Sequence, residues 1–194
     1  INHKAATSAQ CKVSTLGALT SGLEGQHLSE MFALKEAACS GVSNARQAIR
    51  NTLVLKRAYS YAANCGLTVF IEPDDDYLSD NGNAHEGAVA TRLGLRGIPV
   101  SAETTAIARA IEIISETRVK AHFGRLSAAK SVAMIRRAKD DGLDITADVS
   151  AHQLHLTDMD ISSFNSSCHV IPPLRSQRDQ EALRQGLIDG TIDA

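Results

Sequence analysis

The chain has 194 residues, of which 43% are hydrophobic and 22% are charged, so it is long enough to bury one sizeable core. Its 20 basic and 22 acidic side chains leave a formal charge of -2, which excludes the basic excess typical of nucleic-acid-binding proteins. No apolar run reaches the roughly 18 residues of a membrane helix, and the first residues lack the layout of a signal peptide, so we expect a cytoplasmic protein.

The first half of the chain alternates between predicted strands and predicted helices. Leu28, Met31, Leu34 and Ala38 recur at helical spacing. Cys65-Gly66 stops a second helical stretch, and LTVFI is an unbroken apolar run of the kind buried on both faces. The predicted elements are strands at 12–20, 40–43 and 67–71, and helices at 27–39 and 51–64.

The same alternation continues in the second half. We predict helices at 102–117 and 127–141, the latter ended by Gly142, and strands at 119–123 and 143–149. Short connections between such elements indicate parallel βα units. The fold class predicted is therefore α/β: a partial TIM-type (β/α)8 barrel with parallel strands alternating with helices. Five to six units are counted here, whereas a closed barrel has about 250 residues. Residues 1–194 are thus interpreted as the central part of a single barrel domain, and as a fragment.

The four cysteines are predicted to be reduced thiols in or near the core. Cys11, Cys39, Cys65 and Cys168 form neither a Cys-x-x-Cys pair nor a compact cluster with histidines. Neither a structural zinc site nor a disulfide framework is indicated.

Functional groups of a parallel barrel lie where its strands end. Glu72 and the run Asp74, Asp75, Asp76 follow the strand at 67–71, Arg125 follows the strand at 119–123, and Asn44 and Ala45 follow the strand at 40–43. A binuclear hydrolytic site requires histidines and a bridging carboxylate at such points, because two metal ions must be held a few ångströms apart. None of these three strand ends supplies a histidine.

Several phrases resemble the dihydroorotases, amidohydrolase-superfamily enzymes that close and open the dihydroorotate ring. These phrases are GALTSGLEGQHLSEMFALKEA, VKAHFGRLSAAKSV, ITADVSAHQLHLTDMDI and IPPLRSQRDQEALRQGLIDGTIDA. HEG and then GIP with SAET lie between the first two of these phrases, and PPLR lies in the last. Each short phrase is only modestly specific, but their order and spacing are specific together. The likeness covers nearly the whole chain and implies a role in pyrimidine biosynthesis.

The resemblance also implies that the family's site is degenerate here, with no catalytic residue intact. Asn44 and Ala45 stand where the family has aspartates, one of which bridges the metals, and Glu72 matches a ligand histidine. Arg125 matches a second ligand histidine, and a permanent cation cannot coordinate a metal. Ile171 replaces the asparagine that helps to hold the substrate. We therefore expect no metal and no cofactor.

The chain is most similar to a dihydroorotase subgroup that has lost these ligands and acts as a structural partner of aspartate transcarbamoylase. The resemblance thus implies a noncatalytic scaffold in a homo- or hetero-oligomer with that transferase, and no nucleic-acid or membrane partner. One alternative is an active, zinc-dependent dihydroorotase or related cyclic amidohydrolase that uses Glu72, the Asp74 to Asp76 run and residues outside this chain. Another is a ligand-binding barrel with an altered pocket.

Five predictions concern individual side chains or short runs of the chain. A charge at a barrel mouth is costly unless it is paired, so Arg125 is predicted to pair with Glu72. His122 is interpreted as a core or strand-end histidine. The remaining predictions place Asp74 to Asp76 in a solvated loop, His85-Glu86 at the start of a helix, and His152 and His155 in surface or loop positions.

Overall fold

The computed structural model describes residues 1, 4, 5, 7 and 10–194, which form two compact units. The first unit contains Ile1–Ile71 and Ile113–His122, and the second contains Glu72–Glu112 and Phe123–Ala194. Among the described residues, no helix combines the length and the apolar composition needed to cross a bilayer.

Strands and helices alternate along the described chain, as predicted. The strands are β1 Leu16–Ala18, β2 Gly41–Ser43, β3 Thr68–Ile71, β4 Ala84–His85, β5 Gly97–Ile98, β6 Ala121–Phe123 and β7 Ile145–Ala147. The α-helices are α1 Met31–Glu36, α2 Thr52–Cys65, α3 Asp76–Ser79, α4 Ala88–Leu93, α5 Val100–Thr117, α6 Ala129–Asp140, α7 Ala151–His155 and α8 Gln177–Ile188. Short 3-10 helices lie at Ser21–Leu23, Asp158–Ile161 and Ser166–Cys168.

Parallel pairing organises the strands of the first unit. β1 pairs with β2, and β2 pairs with β3 so that Val42 lies opposite Val69. The backbone N–H of Val69 donates to the carbonyl of Lys120, directly before β6, at 2.9 Å. Val42 and Val69 are both buried, which explains why these strands read as apolar runs rather than as alternating patterns.

Helix α2 begins and ends at the residues that its sequence indicates. The Asn51 side chain accepts hydrogen bonds from the N–H groups of Leu53 and Val54, at 2.9 and 3.3 Å, and so caps the first turn. Gly66 ends the helix in the left-handed conformation, with φ 64°. The predicted stop at Cys65-Gly66 is confirmed.

The second unit contains the two-stranded parallel sheet of β4 and β5, and helix α6 packed beside α8. Gly186 of α8 lets the two helices approach closely, since a Cβ there would lie 3.0 Å from Val132 of α6. Beside β7, the N–H of Asp193 donates to Ala147 O and the N–H of Val149 donates to Ala194 O, both at 2.9 Å. The last residues of the chain therefore run along β7.

Several local predictions are wrong. His85 and Glu86 do not open a helix, because His85 belongs to β4 and α4 begins only at Ala88. His152 and His155 lie in a helix, α7, rather than in a loop, although His155 is exposed, as the predicted surface position requires. Cys11 is exposed, whereas Cys168 is buried as expected, and all four thiols are free.

Two further predictions need correction, one about the acidic run and one about the length of a helix. The acidic run is not simply a solvated loop, since the Asp75 carboxylate caps α3 by accepting from the N–H groups of Tyr77 and Leu78, both at 3.1 Å. The helix predicted at 27–39 is shorter, Met31–Glu36, and the chain leaves it at Ala38 with φ 59°.

Candidate functional site

Arg125 and Glu72 form an ion pair in the second unit. Glu72 directly follows β3 and Arg125 lies two residues beyond β6, so each side chain is positioned by the end of a strand. Nη2 of Arg125 contacts Oε2 of Glu72, and the two side chains are 33% and 35% exposed. The predicted ion pair is confirmed, and its partial burial shields it from much of the solvent screening that weakens surface pairs.

Ile171 joins the same cluster through its backbone. Nη1 of Arg125 donates to the Ile171 carbonyl oxygen at 3.2 Å, and the Ile171–Pro172 peptide bond is cis. The Gln153 amide holds the following turn by donating to the carbonyls of Pro172 and Pro173, at 3.0 and 3.2 Å. Three of the five positions singled out in the sequence, Glu72, Arg125 and Ile171, therefore meet through one guanidinium group.

The backbone of Arg125 is also fixed. Its φ is 57°, a left-handed conformation that costs a residue with a Cβ roughly 1–2 kcal/mol. Its N–H donates to Oδ1 of Asp148, which follows β7, at 2.6 Å. The contact with Asp148 and the contacts of the guanidinium together hold this conformation.

Asn44 and Ala45 lie in the first unit, where the side chain of Asn44 holds the surrounding loops by hydrogen bonds. Its amide nitrogen donates to Leu23 O at 3.2 Å and to Gln47 O at 2.8 Å, and its Oδ1 accepts from Thr20 Oγ at 2.5 Å. Asn44 is 7% exposed, so these bonds replace hydration of a buried amide. Ala45 is exposed and adopts φ 49°. Neither residue offers a carboxylate.

The residues present do not fit a pair of catalytic metal ions. Beside Glu72 lies a permanent cation, which repels a metal ion and has no lone pair to donate. Within the part of the chain that the structure describes, no three His, Cys, Asp or Glu side chains are grouped closely enough to hold a metal ion. Of the acidic run, Asp74 accepts from Ser79 Oγ and Asp75 caps α3. No chemical step through a metal follows from this arrangement.

A second polar cluster in the second unit was missed by the sequence analysis. Arg175, 2% exposed, donates from Nε to Ser127 Oγ at 3.1 Å and from Nη1 to Ile98 O at 2.7 Å. The same Nη1 lies 3.1 Å from Nδ1 of His85. Glu103, 3% exposed, accepts from Ser127 N and from Ser127 Oγ and lies 4.0 Å from Nη2 of Arg175.

Burial and charge change the ionisation of this cluster. Burial, and then the nearby Arg175 cation, hold the pKa of His85 below its ordinary value of 6.5, against the opposing effect of Asp158 and Asp179. Burial also lowers the pKa of Arg175, while Glu103 and Asp179 oppose the change. His85, Glu103 and Arg175 belong to the HEG, SAET and PPLR phrases, so the phrases themselves were the signal that could have linked them.

Comparisons with known proteins decide the family. The family model described as dihydro-orotase-like matches residues 2–131. The chain belongs to the dihydroorotase-like family.

Curated relatives agree with this assignment. A dihydroorotase-like protein from Pseudomonas putida is 44% identical over 100% of this chain and 46% of its own length. The dihydroorotase-like protein of Pseudomonas aeruginosa is 40% identical with the same two coverages. A dihydroorotase from Pelotomaculum thermopropionicum is 42% identical over 93% of this chain and 42% of its own length. The chain thus spans about half the length of the curated relatives that it matches.

Solved structures support the predicted fold. An L-hydantoinase (dihydropyrimidinase) from Arthrobacter aurescens superimposes with a TM-score of 0.77 at 20% identity, over 93% of this chain and 42% of that one. A dihydroorotase from Campylobacter jejuni gives a TM-score of 0.60 at 13% identity, over 82% of this chain and 44% of that one. The α/β fold, with parallel strands alternating with helices, is a partial barrel, as the sequence predicted.

Proposed function

We propose that this chain is part of a noncatalytic dihydroorotase-like subunit of pyrimidine biosynthesis that serves as a scaffold for aspartate transcarbamoylase. The observation that carries the proposal is the contact between Arg125 and Glu72. Two positions that match metal ligands in the family hold opposite charges and satisfy each other. A site of this kind is neutral without a metal, and it offers no hydroxide source for opening a cyclic amide.

The position of Ile171 supports the same proposal. The family's asparagine would present an amide to the substrate, whereas Ile171 presents an aliphatic side chain and gives its carbonyl to Arg125. The two Pseudomonas relatives are named dihydroorotase-like proteins, which is also compatible with a departure from the enzyme. Family membership alone is a poor guide to activity, so the site residues carry the argument.

The first test is a metal analysis of the purified full-length protein combined with a dihydroorotate assay, with and without added zinc. We expect no stoichiometric zinc and no turnover of dihydroorotate above the rate without protein. Bound zinc together with normal turnover would overturn the proposal and favour the alternative of an active cyclic amidohydrolase.

The second test asks for the partner. Full-length protein carrying an affinity tag is mixed with purified aspartate transcarbamoylase, and the complex is measured by size exclusion with light scattering. We expect a stable hetero-oligomer. Transferase that elutes apart from the tagged protein at micromolar concentration would contradict the scaffold role, even if the protein proved inactive.

A pair of variants connects the two tests. Arg125→Met removes the cation next to Glu72, and Arg136→Met removes the cation of a pair of similar exposure with Asp189, 2.6 Å apart. If the site is only structural, both variants remain inactive and both retain the transferase. Zinc-dependent turnover gained by Arg125→Met alone would show that the arginine only blocks an otherwise competent site, and would overturn the proposed role.

A further inference from the structure

The contact between His85 and Arg175 requires a neutral histidine. Arg175 carries hydrogens on every guanidinium nitrogen and can only donate, so Nδ1 of His85, 3.1 Å away, must accept. A proton on Nδ1 would turn that acceptor into a second donor and would place two cations in contact. The hydrogen bond from Arg175 to His85 therefore forms only when Nδ1 carries no proton.

Arg175 is the base of a long loop. Its carbonyl accepts from the N–H of Asp158 at 2.9 Å, which closes the chain between these two residues. Apart from the 3-10 turns Asp158–Ile161 and Ser166–Cys168, this segment has no regular structure. The Arg175 guanidinium then attaches the base of the loop to His85, Ile98 and Ser127. We call residues 158–175 the cis-proline loop, because it contains the cis bond between Ile171 and Pro172.

A cavity of about 340 Å³ lies between this loop and the β4–β5 segment. Asn83 and Leu95 form one wall, and Ile161, Phe164 and His169 belong to the other. His85 sits on β4, two residues beyond Asn83, and Arg175 ends the loop that supplies the second wall. The contact between His85 and Arg175 thus joins the elements that carry the two walls.

We propose that the His85–Arg175 contact is an acid-sensitive latch that holds the cis-proline loop against the β4–β5 segment. Protonation of His85 exchanges an attractive contact for a repulsive one, and the two walls of the cavity then separate more readily. The inference does not depend on the scaffold role, because it rests on His85 and Arg175 and not on the pair of Arg125 and Glu72.

Charged groups from several elements act on His85 and on Arg175. Arg175 disfavours protonation, whereas Asp158 from the 3-10 turn, Asp179 from α8 and the backbone of Ile98 in β5 favour it. Glu86 is the neighbour of His85 along the chain. Glu103 and Asp74 face Arg175. Burial and Arg175 prevail, so the pKa of His85 lies below 6.5. The latch is therefore fully closed above that pH and weakens as the pH falls below it.

Hydrogen exchange measured by mass spectrometry on the full-length protein tests this inference. Between about pH 8 and about pH 5, after correction for the intrinsic pH dependence of exchange, we expect peptides from 158–175 to exchange about tenfold faster or more. His85→Asn keeps an acceptor near the position of Nδ1 without titrating in this range, so the acid response should disappear. His155→Asn, at an exposed position of α7, is the matched control and should respond like the wild type.

Two results would overturn the latch. One is the same acid response in His85→Asn as in the wild type. The other comes from a proton NMR titration of the wild-type histidines and needs no variant to fold: His85 titrating at or above 6.5 would remove the physical basis of the proposal.

Discussion

Arg125 connects its own chain segment to three others, those of Glu72, Ile171 and Asp148. One of its nitrogens holds the Glu72 carboxylate and another holds the Ile171 carbonyl, while the backbone N–H of the same residue binds Asp148. A planar group with several donors suits this position, because one side chain can satisfy acceptors in different directions. Lysine would bring the charge to this position but not the planar fork of donors.

A double-mutant cycle measures the coupling between the two charges. Arg125→Met should lower the free energy of unfolding by about 1–2 kcal/mol, because Glu72 loses its cation and Ile171 loses a donor. Combined with Glu72→Met, the cycle should give a coupling of about 0.5–1 kcal/mol, since a third of each side chain is still exposed.

The pair Lys56–Glu116 in the first unit provides the matched control cycle. Its side chains are 45% and 61% exposed, so we expect a coupling of about 0.5 kcal/mol or less. Urea titrations followed by circular dichroism give all the required free energies. Equal coupling in the two cycles would mean that partial burial adds nothing to the pair at Arg125.

At the scale of elements, helix α6 is capped by residues from other helices. Ala128 occupies its N-cap position and has no side chain that could accept a hydrogen bond. Glu103 of α5 accepts from the N–H groups of Ser127 and Ala128, at 3.0 and 3.3 Å, and Asp179 of α8 accepts from Ala129 at 2.9 Å. The two carboxylates also complement the positive end of the helix dipole.

Glu103→Gln should therefore be costly although it changes few atoms. The amide removes the negative charge that faces buried Arg175 and the N-terminus of α6, and we expect a loss of about 2–3 kcal/mol in the free energy of unfolding. Asn51→Ala, which removes the ordinary cap of α2, should cost about 1 kcal/mol. Thermal and urea unfolding of both variants would check this order, and a smaller cost for Glu103→Gln would contradict it.

Elements with local signals could be predicted from the sequence, and elements fixed by distant partners could not. Helix α2 carries its own cap at Asn51 and its own stop at Gly66, and its bounds were predicted within one residue. The two-residue strand β4 exists only because Ala84 pairs with Gly97. The acidic residue after His85 suggested a helix start, and no local feature contradicted that interpretation.

The candidate site shows the same difference between features with a signal in the sequence and features fixed by distant partners. The pair Arg125–Glu72 followed from a rule about where parallel strands end, together with the cost of an unpaired charge. The cluster around Arg175 joins residues up to 90 positions apart in the sequence, and its members include a helix side chain and a backbone carbonyl. Their phrases were recognised as family markers, but the sequence did not indicate that they touch one another.

At the scale of the whole molecule, the four free thiols report on both units. Cys11 is exposed and Cys39 and Cys65 are half-buried in the first unit, whereas Cys168 is buried in the second. Under native conditions N-ethylmaleimide should label Cys11 first, and Cys168 only when the second unit opens. A time course followed by mass spectrometry, with the fully denatured protein as control, should reach four labels. An unlabelled thiol among these four in the denatured control would contradict their being free, and Cys168 reacting as fast as Cys11 under native conditions would contradict the described burial.

The ion pair of Arg125 and Glu72 needs no component that must be added after the chain is synthesised. A metal centre must be loaded after synthesis, and its occupancy depends on the free concentration of the ion and on competing chelators. The bridge from Arg125 is made of groups that the chain itself carries. It forms when the segments after β3 and β6 come together, and under the proposed function we expect it to be the same in metal-starved and metal-rich surroundings.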